Sequence, residues 1–402
     1  MNRPSASTTA ECDGASGSTG RRPGADEAWL ARAQALLAGV PRNGRIVEIG
    51  PLFNPIAPKA AGYDTAVVDH LPREELVAVF ADHPSADVSR IEEVDYVWRE
   101  GPLSDVIPAA QHGTFDAFVA SHVIEHTPDI IAFLNSAAAV LKPDGVVILV
   151  IPDKRYCFDY FQPLTTTGQL LEANAEKRSR HTPRLAFDHF AYSVEDGGSG
   201  AWGQRPLQGL RLTDRLEDAR DKFDAFGRNS SYIDLHAWRF VPASFELLLL
   251  ELARLGETDW FIERITPAQG SEFFAWLRRG GAARAAALSD ETLNEQRLAL
   301  LKRILFETQA QIDCLAVAEP DPAKNNAAPS PAETEAVRVQ GRITALASEL
   351  EAVRASEARL RAERDAVLSS GTWRVTEPLR RVAGALPPSA RSILRKIARG
   401  AA

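Results

Sequence analysis

The chain has 402 residues and a net charge of −8, with 45% hydrophobic and 25% charged residues. This is ordinary for a soluble protein of one large domain with extras, or of two domains. The acidic balance gives no reason to expect nucleic-acid binding. Cys12, Cys157 and Cys314 are too scattered for a disulfide framework or a zinc site. No run of about 18 apolar residues is present to cross a membrane, and a cytoplasmic setting is expected.

Residues 1–26 are rich in Ser, Thr and Gly and lack an apolar segment, which reads as a disordered leader and not a signal peptide. "EAWLARAQALLAGV" has helical periodicity and stops at Pro41. "GRIVEIG" reads as a short buried strand, "DTAVVDH" as a second, and "FDAFVASHVIEH" opens with a third. "DIIAFLNSAAAVLKPDG" reads as a helix, and "VVILVIPD" is apolar throughout, as a central parallel strand is. Strands alternating with helices predict an α/β fold with a doubly wound, mostly parallel sheet.

From about 154 to 231 the pattern blurs, and the segment is expected to be an insertion or lid. "HAWRFVPASFELLLLELARLG" predicts a loop and a strong helix, followed by two closing strands, "DWFIERITPA" and "EFFAWLRR". A helix over about 290–316 ends the main domain, 27–317, and a linker follows over 318–332. Over 333–368, Val339, Ile343, Leu346, Leu350, Val353, Leu360 and Val367 form a heptad seam interrupted at Glu357 and Arg364. This predicts a coiled coil that pairs copies of the chain, with a solvated single helix as the alternative. The tail, 369–402, carries seven Arg or Lys against Glu377, interleaved with Trp373, Leu379, Ile393 and Ile397. It is expected either to lie at an anionic membrane surface or to be a solvated basic tail.

A parallel α/β sheet binds ligands at the carboxyl ends of its strands, and "IVEIGPLFNP" places Gly50 there. Further glycines are missing, and Pro51 removes an amide donor, which disfavours a pyrophosphate on a helix N-terminus. A cofactor without phosphates fits better, and S-adenosylmethionine is one. Asp69, at the end of the second strand, is placed to accept ribose hydroxyls.

"VEIGPLFNP", "VVDH", "FDAFVASHVIEHTPD" and "VLKPDGVVILVIPDKRYCFD" together resemble a class I S-adenosylmethionine-dependent methyltransferase with a Rossmann-like sheet. With "DLHAWRFVPASFELLLLEL" they resemble more narrowly the methyltransferases of bacterial surface-polysaccharide biosynthesis, over about Arg45 to Arg279. "SGTWRVTEPLRR" is similar to a short motif that follows coiled coils in bacterial glycosyltransferases. The resemblance implies that Glu48 and Gly50, with Pro51, border the methionine part. It places Asp69, with His70, at the ribose, and Ser121 and His122 beneath the cofactor. Glu125 and His126 match the family's "EH" pair. Asp87 and Asp95 are both candidates for the acid beside adenine. The implied partners are a glycan or sugar-precursor acceptor and membrane-bound glycan machinery.

Methyl transfer to a hydroxyl needs an aligned acceptor and a place for its proton. Histidine suits that near neutral pH. The candidates are His122, His126, His181, His189 and His236, with His181 expected in a solvated loop and His189 beside Asp188. Asp153, Lys154, Arg155, Tyr156 and Asp159 follow a central strand where an acceptor enters, and Lys154 and Arg155 suit an anionic sugar. A loop salt-bridge cluster is the alternative for them. Trp238 is expected to face a sugar ring. The spacing of Asp153, Asp159 and Asp188 is not diagnostic of a cation site, so no metal is expected. A catalytically silent scaffold and a nicotinamide-dependent oxidoreductase are the competing classes. The second lacks both the glycines and a Tyr-x-x-x-Lys pair.

Overall fold

The computed structural model describes residues 25–83, 86–207, 209–228 and 234–315. Most of the leader, the linker, the coiled coil and the basic tail lie outside the described residues.

In chain order the elements begin with α1 (Ala25–Leu36), β1 (Arg45–Ile49), β2 (Asp64–Asp69), α2 (Arg73–Phe80), β3 (Tyr96–Val97) and β4 (Phe115–Ser121). Next come α3 (Ile130–Val140), β5 (Leu141–Pro152), α4 (Thr167–Ala175), α5 (Pro183–Tyr192), β6 (Val194–Asp196), β7 (Leu210–Leu212) and α6 (Leu216–Arg228). The last are α7 (Pro242–Leu255), β8 (Trp260–Ile265), β9 (Glu272–Arg279), α8 (Gly281–Ala286) and α9 (Asp290–Cys314). Seven strands form one sheet in the order β3-β2-β1-β4-β5-β9-β8. β3 through β5 pair in parallel, and β9 runs antiparallel between β5 and β8.

The central strands are apolar on both faces because both faces are covered. Val47, Phe118, Val147 and Leu149 point into a core shared with α3 and α7. Their neighbours Ile46, Ala117, Val119, Ile148 and Val150 point the other way, into a core with α1. The indole of Trp276 donates to the Leu36 carbonyl at 2.9 Å and ties α1 to β9. α3 starts at Asp129, whose side chain accepts from the Ala132 amide and caps the helix.

The chain runs outward from β1 to β2 and β3, then returns to the other side of β1 with β4. The strand order therefore reverses between β1 and β4, and the carboxyl ends of those two strands border the crevice that such sheets use for ligands.

The segment 154–231 is more ordered than its sequence suggested. It contains three helices and a two-stranded ribbon. Its helices are short, 9 to 13 residues, so periodicity is weak over them. Their start signals are explicit, however. Thr166 and Gln169 form a capping box, and Thr182 caps α5 with Pro183 at its first position. β3, two residues long, gives no periodic signal at all.

Candidate functional site

β1 ends in Gly50, which has φ +60, and a Cβ there would lie 3.1 Å from Val123 Cγ2. Both the left-handed backbone and the close approach require glycine. Across the crevice His122, just after β4, also has positive φ, at +53, as does Leu52 at +47. Two non-glycine residues are thus held in a costly conformation at the strand-order reversal, where strained backbone commonly serves function.

Glu48 is buried, and its two oxygens accept from the amides of Ile56 at 2.6 Å and Ala57 at 3.0 Å. The carboxyl folds the 51–57 loop against the sheet, with Pro51 buried in it. Asp69 is buried as well. Its Oδ1 accepts from the His70 amide and from His70 Nδ1, at 2.8 and 2.7 Å. Its Oδ2 accepts no hydrogen bond, although it is buried. A buried carboxylate oxygen without a donor is costly, and a hydroxyl donor from a ligand would satisfy it. Together with the glycine-only approach at Gly50, this fits an adenosine-bearing cofactor without phosphates. Of the two adenine-side acids, Asp95 binds the Val67 amide at 2.7 Å and Lys59 Nζ at 2.6 Å, and Asp87 caps a short turn at Ser89.

Beyond Ser121 the chain turns through His122 to Glu125 and His126. His122 Nε2 is 2.8 Å from Glu272 Oε2, and Glu272 is held by Arg32. Glu125 is fully buried, and neither of its oxygens accepts a hydrogen bond. Three imidazoles surround its Oε1. His122 Nδ1 lies at 3.4 Å, His126 Nε2 at 3.8 Å and His236 Nε2 at 3.9 Å. Burial pushes this carboxyl up, but the three histidines outweigh it and hold the group below the usual carboxylate range.

His236 arrives on the strap 234–241, which precedes α7. The amides of Ala237 and Trp238 donate to the Glu125 carbonyl at 2.8 and 3.3 Å, and the Trp238 indole donates to the Thr127 carbonyl at 2.6 Å. His236 is buried with its Nδ1 2.5 Å from Asp159 Oδ2. Arg239 donates to the other oxygen of Asp159 at 3.3 Å. Burial disfavours the Asp159 carboxylate, yet His236 and Arg239 keep it ionised far below the ordinary range. His126 Nδ1 lies 2.8 Å from Asp234 Oδ1. Burial lowers the His126 pKa, but the Asp234 charge prevails and lifts it to about 9. The charge of Asp234 also reaches His70, whose own pKa is raised despite its burial because it pairs with Asp69. The ribose acid and the histidine cluster are therefore electrostatic neighbours.

Several sequence expectations change here. His181 is buried, not solvated, and burial lowers it to about 3. His189 is buried against the Phe158 ring and also falls to about 3, chiefly through burial, which makes it a poor proton acceptor. Its neighbour Asp188 pairs with Arg184 instead. Trp238 is packed inside the core and anchors the strap, so it presents no ring face to a sugar. Arg155 is buried in an ion pair with Asp153 and donates to the Glu307 carbonyl of α9 at 2.9 Å. Lys154 donates to the Tyr160 carbonyl and Gln311. Tyr156, also buried, sits in the same turn. These charges are met within the chain and fasten α9 to the end of β5, so the salt-bridge alternative is the one realised. Of the five residues after that strand, Asp159 alone joins the histidine cluster. Glu272 was missed. It lies 150 residues from His122, and nothing local marks it.

A methyltransferase-domain family model matches residues 24–236, more than half of the chain. The mitochondrial ubiquinone biosynthesis O-methyltransferase of Bos taurus is 28% identical over 117 residues, which are 29% of this chain and 31% of that protein. The chain thus spans about a third of that relative's length. A solved structure of a putative zinc-dependent alcohol dehydrogenase from Rhodobacter sphaeroides aligns over 62% of this chain and 89% of its own at 14% identity, with a TM-score of 0.37. A DhpI complex with S-adenosylhomocysteine aligns over 63% and 85% at 18% identity, with a TM-score of 0.32. These structural likenesses are distant.

Proposed function

We propose that this chain, which belongs to the methyltransferase-domain family and is an S-adenosylmethionine-dependent methyltransferase, methylates a hydroxyl oxygen on a sugar of a bacterial surface glycan or its precursor. S-adenosylmethionine supplies a methyl group already activated by the sulfonium. The chain must bind the cofactor, exclude water, align the acceptor and manage one proton. Gly50 lets the cofactor approach the backbone, and Asp69 Oδ2 accepts from its ribose. Glu125, His126 and His236 receive the acceptor hydroxyl on the side toward β4.

The observation that carries a hydroxyl acceptor is the pair of carboxylate-backed imidazoles, His236 on Asp159 and His126 on Asp234. A carboxylate at Nδ1 orients each ring and directs its Nε2 to the same side, where Glu125 Oε1 lies at 3.8 and 3.9 Å. The glycan reading is supported by the sequence resemblance of 45–279 and of the tail. The partial relative is itself named as an O-methyltransferase. Leu298, Leu301, Leu305 and Ile312 form an exposed heptad-spaced face of α9. The seam of 339–367 favours a second copy of the chain as a partner. Light scattering should then report a dimer, and a monomer at micromolar concentration contradicts that part.

The acceptor is tested by incubating the full chain with methyl-labelled S-adenosylmethionine and a panel of nucleotide sugars, lipid-linked sugars, phenols and proteins. Label on a sugar oxygen is expected. Label confined to a phenol or to protein overturns the glycan reading.

A further inference from the structure

We propose that Glu125, His126 and His236 form a binding site for a divalent first-row transition cation, at which the acceptor hydroxyl is held. One donor atom from each of the three lies within 4.8 Å of the other two. The Nε2 atoms of His126 and His236 stand 3.8 and 3.9 Å from Glu125 Oε1. A tetrahedral cation with bonds of about 2.1 Å spaces its ligands about 3.4 Å apart. The two rings meet edge to face at 4.6 Å between centroids, and cation binding would require them to draw in by several tenths of an ångström or more.

Two further features separate this cluster from an ordinary buried ion network. The first is Glu125 itself, with 0% exposure and no hydrogen bond to either oxygen. Its charge is met only by imidazole nitrogens at 3.4 to 3.9 Å, longer than good hydrogen bonds, and a cation bonded directly to the oxygen would compensate its burial more fully. The second is what stands behind each imidazole. Metal-bound histidines almost always donate the far ring nitrogen to a carboxylate or carbonyl, which fixes the tautomer and raises basicity. Here His236 bonds Asp159 through Nδ1 at 2.5 Å, and His126 Nδ1 stands 2.8 Å from Asp234 Oδ1 as an ion pair. Asp159 is steadied in turn by Arg239. His122 Nδ1 approaches the same Glu125 oxygen at 3.4 Å.

Two imidazoles and one carboxylate suit a borderline cation such as Zn²⁺, Co²⁺ or Fe²⁺ and, as three ligands, leave coordination positions open. The role toward the acceptor rests on the hydroxyl chemistry proposed above, whereas cation binding stands on the geometry alone. A coordinated hydroxyl loses its proton to water more readily. Its oxygen then forms the new bond to the methyl carbon, and the electron pair of the S–CH3 bond stays on sulfur.

The test is to titrate metal-stripped full-length protein with Co²⁺, and separately with Zn²⁺, following heat and the visible Co²⁺ absorption. One saturable equivalent is expected. Glu125→Gln and His126→Ala should each weaken binding by at least about 100-fold, and Asp159→Asn by about 10- to 100-fold. Titration of the same samples with S-adenosylhomocysteine reports whether each variant is folded. Should the variants fail to fold, Co²⁺-shifted imidazole signals in the wild type must count two coordinating histidines. Absence of one-equivalent uptake by the wild type, or wild-type affinity in folded Glu125→Gln, overturns the site. Cofactor binding without metal uptake refutes the cation alone. Metal uptake without cofactor binding refutes the methyltransferase reading and leaves the cation site standing.

Discussion

Glu48 offers a test of how the cofactor loop is held, through Glu48→Gln. The carboxyl is buried between β1 and the 51–57 loop. Burial pushes its pKa up from 4.5 to about 7, against the opposing pull of the Ile56 and Ala57 amides. Glu92 adds to the rise and Arg32 opposes it. A carboxyl whose folded pKa is raised binds its proton more tightly in the folded state. Stability is then full below the unfolded pKa near 4.5 and falls as the pH climbs to about 7. At 1.36 kcal/mol per pH unit, the loss is about 3 kcal/mol. Glutamine resembles the protonated acid in size and cannot titrate, so subtracting its profile removes every other group. Urea unfolding of both proteins from pH 4.5 to 7.5 should show the wild type losing about 3 kcal/mol relative to the variant. A constant difference refutes the reasoning, and so does a wild type that gains with pH. Either result means that the two amides outweigh burial and Glu48 is an ordinary ionised carboxylate.

Other consequences are equally direct. Gly50→Ala puts a Cβ at 3.1 Å from Val123 in a left-handed backbone, so it should cost about 1–2 kcal/mol in unfolding free energy and weaken S-adenosylhomocysteine binding by at least about 10-fold by calorimetry. Trp238→Phe removes the donor to the Thr127 carbonyl but keeps most of the buried ring, so thermal unfolding should report a loss of about 1–2 kcal/mol, against about 3–5 for Trp238→Ala. Asp153→Asn strands buried Arg155, and chemical unfolding should show a loss of about 3–5 kcal/mol.

The sheet was legible because its strands carry strong local signals. "VVILVIPD" is apolar up to its final Asp153, "RIVEI" contributes Ile46, Val47 and Ile49, and Gly50 punctuates the turn after β1. The place of Asp69 at the end of β2 was legible for the same reason. The histidine cluster was only half legible. Glu125 and His126 lie next to the sheet in sequence, but His236 enters on a strap 110 residues later and is set by Asp159 from a third segment. Side-chain burial was hidden as well. Lys154, Arg155 and Trp238 look like ligand-facing residues in a loop, because charge and aromaticity do not announce that α9 and the strap cover them. The burial of His189 was hidden similarly, since it lies on α5, whose cap Thr182 is the main sign of that helix; nothing local marks His181 as buried.

The central claim is that the crevice between β1 and β4 holds S-adenosylmethionine with Asp69 at its ribose. Calorimetric titration of the purified chain with S-adenosylhomocysteine, beside Asp69→Ala, tests it most directly. Losing a charged partner of one or two hydroxyls is worth about 1.5–3 kcal/mol, so the account predicts saturable wild-type binding weakened about 10- to 150-fold by the substitution. No binding by the folded wild type, or equal affinity in the variant, contradicts it.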